Sequence, residues 1–192
     1  ATVSSDLECE ACASGTFKSS ISAGTLITDT CTAWATCPAG QGKSVDGSAT
    51  ANRQCAACEA GTSFSASNSE AACSVVSAKC AAGTFTKTAA TVSSDRVCRV
   101  CAQGSFKASV SASTLSPDSC STWATCGVGQ GKSVDGTVVA DRQCTACQTG
   151  VTYSAVDSGA ACVPVSAKCA AGLFTKTVAT ANNDLECDTC EF

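Results

Sequence analysis

The chain has 192 residues, 18 of them Cys, with no His, no Met and a formal net charge of −4. Cysteine above roughly 8–10% marks a disulfide scaffold, and Leu, Ile, Val and Phe are too sparse here to build a large apolar core, so covalent staples must hold the shape. Its 12 basic and 16 acidic residues are spread without clusters, which argues against nucleic acid and anionic membrane surfaces. No apolar run approaches the ~18 residues that a membrane span needs. Disulfides persist outside the cytosol, so the cysteine count places the chain in the extracellular space or at the cell surface.

Residues 1–11 read as the end of a preceding module, because Ala1-Thr2-Val3-Ser4-Ser5-Asp6 matches the stretch from Ala90 to Asp95 and leads to Cys9. A four-cysteine module follows over 12–57. It opens with Cys12-Ala-Ser-Gly15-Thr-Phe17, continues through Cys31-Thr-Ala-Trp34-Ala-Thr-Cys37 and "GKSV", and closes after Cys55. The next module, 58–100, opens with "CEAGTSF" at Cys58, passes Cys73 and "CAAGTF" at Cys80, and closes after Cys98. Its cysteines echo Cys12, Cys31, Cys37 and Cys55 at offsets of 46, 42, 43 and 43. Modules 101–146 and 147–189 then restate both at a constant offset of 89, with Cys101, Cys120, Cys126 and Cys144 followed by Cys147, Cys162, Cys169 and Cys187. Phe106, Trp123, Lys132 and Asp135 keep the same offset from Phe17, Trp34, Lys43 and Asp46. Residues 190–192 open a further module, with Cys190 in the place of Cys12 and Cys101; Phe192 has no counterpart. Neither end looks like a polar capping repeat and no leader precedes Ala1, so the sequence reads as a window from a longer tandem array.

No apolar period of 3.6 residues is sustained. Short runs such as "GKSV", "GTFTKT" and "GTVVA", bounded by Gly, Asp and Asn, predict brief strands and turns, with the glycine after each opening cysteine suited to a positive φ. The expected fold is small and disulfide-rich, mostly irregular with short antiparallel β strands, built as an elongated tandem-repeat rod.

Five Cys-x-x-Cys pairs, at 9/12, 55/58, 98/101, 144/147 and 187/190, have the spacing of zinc knuckles and redox enzymes. A zinc reading makes every cysteine a ligand in a reducing compartment without one His, and a thioredoxin-like reading needs a βαβ context, so structural disulfides are expected instead. "GQGKS" at 40–44 and 129–133 resembles the end of a phosphate-binding loop, but Cys37 and Cys126 stand where that motif needs its first Gly. No cofactor or metal is expected. Without His, and with no residue standing apart from its repeat, the chain is not expected to be an enzyme. Trp34 and Trp123 are read as cover for a disulfide rather than as a sugar platform. Phe17, Phe64, Phe85, Phe106, Tyr153 and Phe174 are read as packing plugs, and Lys43 with Asp46 and Lys132 with Asp135 as solvated pairs. Asn52, Asn68, Asn182 and Asn183 form no N-glycosylation sequon, while the abundant Ser and Thr leave O-linked sugars open.

The stretch Cys31-Thr-Ala-Trp-Ala-Thr-Cys37 with "GKSV" and "ATANRQC" up to Cys55 resembles the cysteine-rich modules of the tumour-necrosis-factor-receptor family. The copy from Cys120 to Cys144 is closer, since Asp141 stands where that family often has Asp. The Cys-x-x-Gly-Thr-Phe openings are also similar to growth-factor-receptor-like cysteine-rich repeats. The resemblance implies an elongated rod of small modules pinned by local disulfides. It departs from the family in having four rather than six cysteines per module and in the near-identity of units 89 residues apart.

The spacing is read as sequential pairing: Cys12–Cys31, Cys37–Cys55, Cys58–Cys73, Cys80–Cys98, Cys101–Cys120, Cys126–Cys144, Cys147–Cys162 and Cys169–Cys187. Sequence alone does not fix connectivity. Cys9 and Cys190 are left for inter-repeat or inter-chain bonds. Near-identical repeats without a distinctive site predict a structural segment of an extracellular fibre, surface appendage or wall protein. Such a segment would self-associate into a filament, its partners being copies of itself and, beyond those, glycans or matrix protein. The alternative is a receptor-like ectodomain that binds a protein ligand, in which one repeat should diverge at its surface.

Overall fold

The computed structural model describes residues 9–22 and 29–190. The matching of Ala1–Asp6 to the later repeat and the unmatched Phe192 lie outside the described residues. Those described form no helix and contain eight two-stranded sheets. Among them, no helix is long and apolar enough to cross a membrane.

The sheets are of two kinds. Four are minimal: β1 (Thr16–Phe17) with β2 (Thr32–Ala33), β5 (Ser63–Phe64) with β6 (Ser74–Val75), β9 (Ser105–Phe106) with β10 (Ser121–Thr122), and β13 (Thr152–Tyr153) with β14 (Val163–Pro164). Four are longer hairpins: β3 (Gln41–Val45) with β4 (Gln54–Ala57), β7 (Thr84–Thr88) with β8 (Val97–Val100), β11 (Gln130–Val134) with β12 (Gln143–Ala146), and β15 (Leu173–Thr177) with β16 (Glu186–Thr189). Pairing is antiparallel throughout the registers β3/β4, β11/β12 and β15/β16, and each of these has a shift one residue wide. The extra residue in β3 is Ser44, whose hydroxyl donates to the Gln54 carbonyl at 3.2 Å, and Ser133 does the same to Gln143 at 3.1 Å. The small, disulfide-rich, mostly irregular class with short antiparallel strands that composition and turn chemistry point to is the observed one.

Glycine starts each strand pair for a backbone reason. Gly40 and Gly129 sit at φ 82° and 76°, a region in which a Cβ is penalised, and each feeds directly into a long hairpin. Gly42 and Gly131 serve differently. A Cβ on Gly42 would lie 2.2 Å from the Cys73 amide nitrogen, and one on Gly131 would lie 2.1 Å from that of Cys162. Strand β3 therefore lies directly on the Cys58–Cys73 loop, and Lys43 N donates to the Ala71 carbonyl at 2.8 Å. The sequence run "GTVVA" behaves otherwise than expected. Gly136–Ala140 is a turn rather than a strand, because the Thr137 hydroxyl accepts from the amides of Val139 and Ala140 at 3.2 and 3.0 Å, closing the chain locally before a ladder can form.

Sulfur and short side chains make up what is buried. Cys37 and Cys126 are 0% exposed and Cys80 2%, with Thr86 the largest fully buried side chain. One compact unit runs to Lys79 and takes in Thr86–Val97 and Ala112–Pro117; the other comprises Cys80–Phe85, Cys98–Ser111 and the chain from Asp118 onwards. Within the first, Gly40 N donates to Ser65 O at 2.9 Å and Ala90 N to Thr114 O at 3.1 Å. Within the second, Gly129 N donates to Ser154 O at 2.9 Å and Ser111 N to Cys80 O at 2.9 Å.

Candidate functional site

Eight disulfides are present: Cys12–Cys31, Cys37–Cys55, Cys58–Cys73, Cys80–Cys98, Cys101–Cys120, Cys126–Cys144, Cys147–Cys162 and Cys169–Cys187. Their Cα separations of 5.5–5.8 Å are ordinary. Cys9 and Cys190 are exposed free thiols.

The most elaborate side-chain arrangement surrounds each tryptophan. Trp34 rests against Gly47, where a Cβ would come within 2.4 Å of the indole, and its Nε1 donates to the Ser48 carbonyl at 3.1 Å. The Arg53 guanidinium carbon lies 5.5 Å from the indole centroid, a cation–π distance. Arg53 is only 7% exposed. Its Nη1 donates to the Ala35 carbonyl at 2.9 Å and its Nη2 to Glu70 Oε2 at 3.0 Å. Asn52 completes the clasp by accepting the Ala35 amide at 2.8 Å. The tryptophan is thus fixed by packing against Gly47 and by a hydrogen bond, which suits a structural role.

The second repeat rebuilds this arrangement with one part missing. Trp123 donates to the Thr137 carbonyl at 3.0 Å, Arg142 lies 5.5 Å from its centroid, and Arg142 Nη1 donates to the Ala124 carbonyl at 3.0 Å. Asp141 accepts the Ala124 and Arg142 amides, both at 2.7 Å. The position of Glu70 is occupied by Gly159. There a Cβ would lie 2.3 Å from Arg142 Nη1, so the guanidinium lies over bare backbone.

The stretches 58–100 and 147–189 keep the clasp without the tryptophan. Asp95 accepts the Ser77 amide at 2.9 Å and also its hydroxyl; Asp184 accepts the Ser166 amide at 2.8 Å and hydroxyl at 2.5 Å. Burial works against ionisation of Asp95, but the hydroxyl and amide of Ser77 with the amide and charge of Arg96 outweigh it, so its carboxyl titrates below the usual range. The Ser166 hydroxyl and amide lower Asp184, with help from Leu185 N and the Tyr153 hydroxyl. Tyr153 is raised in turn by its own desolvation and then by the Asp184 charge. Arg96, 5% exposed, donates Nη2 to the Ser77 carbonyl at 2.6 Å and leaves Nε and Nη1 buried without partners. Leu185 holds the equivalent place in the later repeat.

Surface ion pairs recur as well. Lys43–Asp46 and Lys132–Asp135 are each 2.7 Å apart; Lys18–Asp29 at 2.9 Å and Lys107–Asp118 at 3.2 Å cross the opening loops of their modules. Lys18 and Ser22 lower the Asp29 carboxyl through hydrogen bonds. The arginines escaped the sequence reading although their signal is plain: Arg stands two places before Cys55, Cys98 and Cys144.

Residues 12–55 match the family model described as the TNFR/NGFR cysteine-rich region. The comparison with curated proteins yields no match. Among solved structures, a chain of the human RANKL/OPG complex is 21% identical, with 86% of this chain and 95% of that one covered and a TM-score of 0.39. A chain of the mouse RANKL-OPG complex is 20% identical, with 71% and 95% covered and a TM-score of 0.33. With the cysteine spacing of 12–55 restated at a constant offset of 89 from Cys101 to Cys144, the chain carries tumour-necrosis-factor-receptor-like cysteine-rich repeats and is a disulfide-rich protein of the extracellular space or cell surface.

Proposed function

We propose that the chain is a receptor-like, non-enzymatic ectodomain segment that binds a protein ligand on the side-chain surface of its disulfide-pinned modules. The match of residues 12–55 to the TNFR/NGFR cysteine-rich region carries this reading. The surface adds support, because the repeats do diverge where a ligand could read them: Glu59, Glu70 and Arg99 face Gln148, Gly159 and Asp188 at the same offset. In this reading the modules are 12–57, 58–100, 101–146 and 147–189, and each presents its own variant of one clasp. The test is a binding screen of the oxidised chain against an array of extracellular proteins, repeated with reduced and alkylated chain. A partner held at a fixed stoichiometry by the oxidised form alone supports the proposal; an array without such a partner counts against it.

Self-association into a filament is the second reading, favoured by one observation. The stretch from Cys80 to Ala90 buries Cys80, Gly83, Thr86 and Ala90 and half-buries Thr84, Phe85 and Ala89, whereas the positions 89 residues on expose Leu173, Phe174 and Val178 at 40, 47 and 69%. A copy of the chain could cover that apolar patch, with Cys9 and Cys190 bonding between repeats or chains. Sedimentation velocity over a wide concentration range, with and without reductant, separates the two: a concentration-independent monomer removes the filament.

A further inference from the structure

The two tryptophan and arginine pairs differ in the carboxylate that reaches the guanidinium: Glu70 in the first repeat has Gly159 as its counterpart in the second. In the first repeat the Arg53 charge is internally matched by Glu70 Oε2, 3.0 Å from Nη2. The Glu70 side chain is 71% exposed, so this carboxylate meets the guanidinium from the solvent side. In the second repeat Gly159 supplies no side chain. Among the described residues, Arg142 Nη2 has no hydrogen-bond partner and Nε is buried without one. A half-buried guanidinium without a carboxylate forgoes a strong charge-assisted bond. The fold does not need arginine at this place in every module, since Leu185 occupies it in the module 147–189.

The nearby carboxylates do not substitute for Glu70. Asp141 and Asp157 replace the neutral Asn52 and Asn68 and make the surroundings more negative, but both turn to backbone. Asp141 Oδ1 accepts the Ala124 and Arg142 amides and Asp157 Oδ1 accepts the Val128 amide at 2.9 Å. Neither is an ion-pair partner of Arg142. Trp123 holds the guanidinium plane in place, the guanidinium fills the space over Gly159, and Nη2, unlike Nε, keeps contact with solvent.

We propose that the Arg142 guanidinium edge, set between Trp123 and Gly159, is a docking site for a carboxylate side chain of a partner protein, which plays the part that the Glu70 carboxylate plays in the first repeat. The proposal rests on the ligand-binding reading above and names the group that the ligand brings. Docking pairs Arg142 Nη2 with the incoming Asp or Glu, while Trp123 and the Ala124 carbonyl keep the fork from swinging away. The first repeat is closed to the same group because Glu70 already occupies it.

The experiment uses acetate as the carboxylate, with chloride at equal ionic strength as the control, and follows the arginine side-chain N–H resonances of the oxidised chain by NMR. Arg142 is expected to shift with saturation, by roughly threefold or more over the exposed Arg99, while Arg53 stays still. Gly159→Glu should silence Arg142; its Cβ would stand 2.3 Å from Nη1, so the guanidinium must shift as it takes up the new carboxylate. Glu70→Gly, which removes atoms and threatens no clash, should make Arg53 respond. Silence of Arg142, equal shifts at all the arginines, or an Arg53 that ignores the loss of Glu70 each overturns the site. These outcomes are independent of the extracellular array, so an empty array with a responsive Arg142 refutes the ligand reading and leaves the carboxylate site standing.

Discussion

Replacing Gly42 by Ala should be among the most damaging single-methyl additions to this chain. The new Cβ would stand 2.2 Å from Cys73 N, 2.8 Å from Ala72 C and 2.8 Å from Cys73 Sγ. Ordinary carbon contacts begin near 3.4 Å, so strand β3 and the Cys58–Cys73 loop must separate by roughly 1 Å. The neighbours are backbone and a disulfide, which cannot rotate aside. Separation stretches the bond from Lys43 N to Ala71 O, now 2.8 Å, and that from Cys58 N to Gly40 O, now 2.9 Å. Two weakened backbone bonds and the overpacking together cost about 3 kcal/mol. Calorimetric melting of the oxidised protein should show a loss on the order of 10 °C for the unit concerned. Gly15→Ala is the companion measurement. Gly15 has φ 90°, and a Cβ added there would meet nothing within 4 Å, so only backbone strain of about 1–2 kcal/mol is incurred. A Gly42→Ala melt no worse than that of Gly15→Ala would refute the claim that close approach, not φ, is what this glycine provides.

Arg96→Leu should be neutral or stabilising, by about 1 kcal/mol in urea melts, because it removes two buried unpartnered nitrogens and installs the residue found at 185; clear destabilisation would show that the bond to the Ser77 carbonyl and the nearby Asp95 outweigh them. The lowered carboxyls of Asp29, Asp95 and Asp184 bind protons more weakly folded than unfolded, so their stabilisation is complete above the unfolded value near 3.8 and disappears as pH falls through the depressed folded values. Melting temperature should therefore hold at neutral pH and drop below about pH 4, and Asp184→Asn should flatten that drop. Replacing both Cys37 and Cys55 by Ala opens a loop with a sequence separation of 18 and should cost about 3 kcal/mol in the chain-entropy estimate; a double variant that melts with the parent would locate the stability elsewhere.

Fold class was legible because composition and turn chemistry spoke together. Sparse apolar residues ruled out a large core, and Gly40 and Gly129 announced turns that do hold positive φ. The run at Gly136–Ala140 misled, because β-branched valines favour strand while the Thr137 hydroxyl captures two following amides and closes a turn. Trp34 and Trp123 were legible as packing residues, and they do lie against Gly47 and Gly136, yet the guanidinium over each ring was not legible, since Arg53 and Arg142 lie 19 residues downstream and are brought back only by the hairpin. Glu70 and Gly159 were further out of reach. Each lies in the next disulfide loop along the chain, and only docking of the Cys58–Cys73 and Cys147–Cys162 loops against β3 and β11 brings position 70 or 159 to the arginine. Aligning the repeats exposes the exchange of glutamate for glycine, but not that a cation lies beneath it.

The disulfide pattern also bears on how the chain would carry tension. Each bond closes a loop whose ends are 15–19 residues apart in sequence but only 5.5–5.8 Å apart in space. Force applied along the backbone therefore passes across sulfur at every loop and leaves the enclosed residues slack. Only the short stretches between loops, such as 32–36, 56–57 and 74–79, can be drawn out. Oxidised, the chain is a nearly inextensible tether; each bond reduced releases a fixed length of hidden backbone, so the redox state of its surroundings sets its reach.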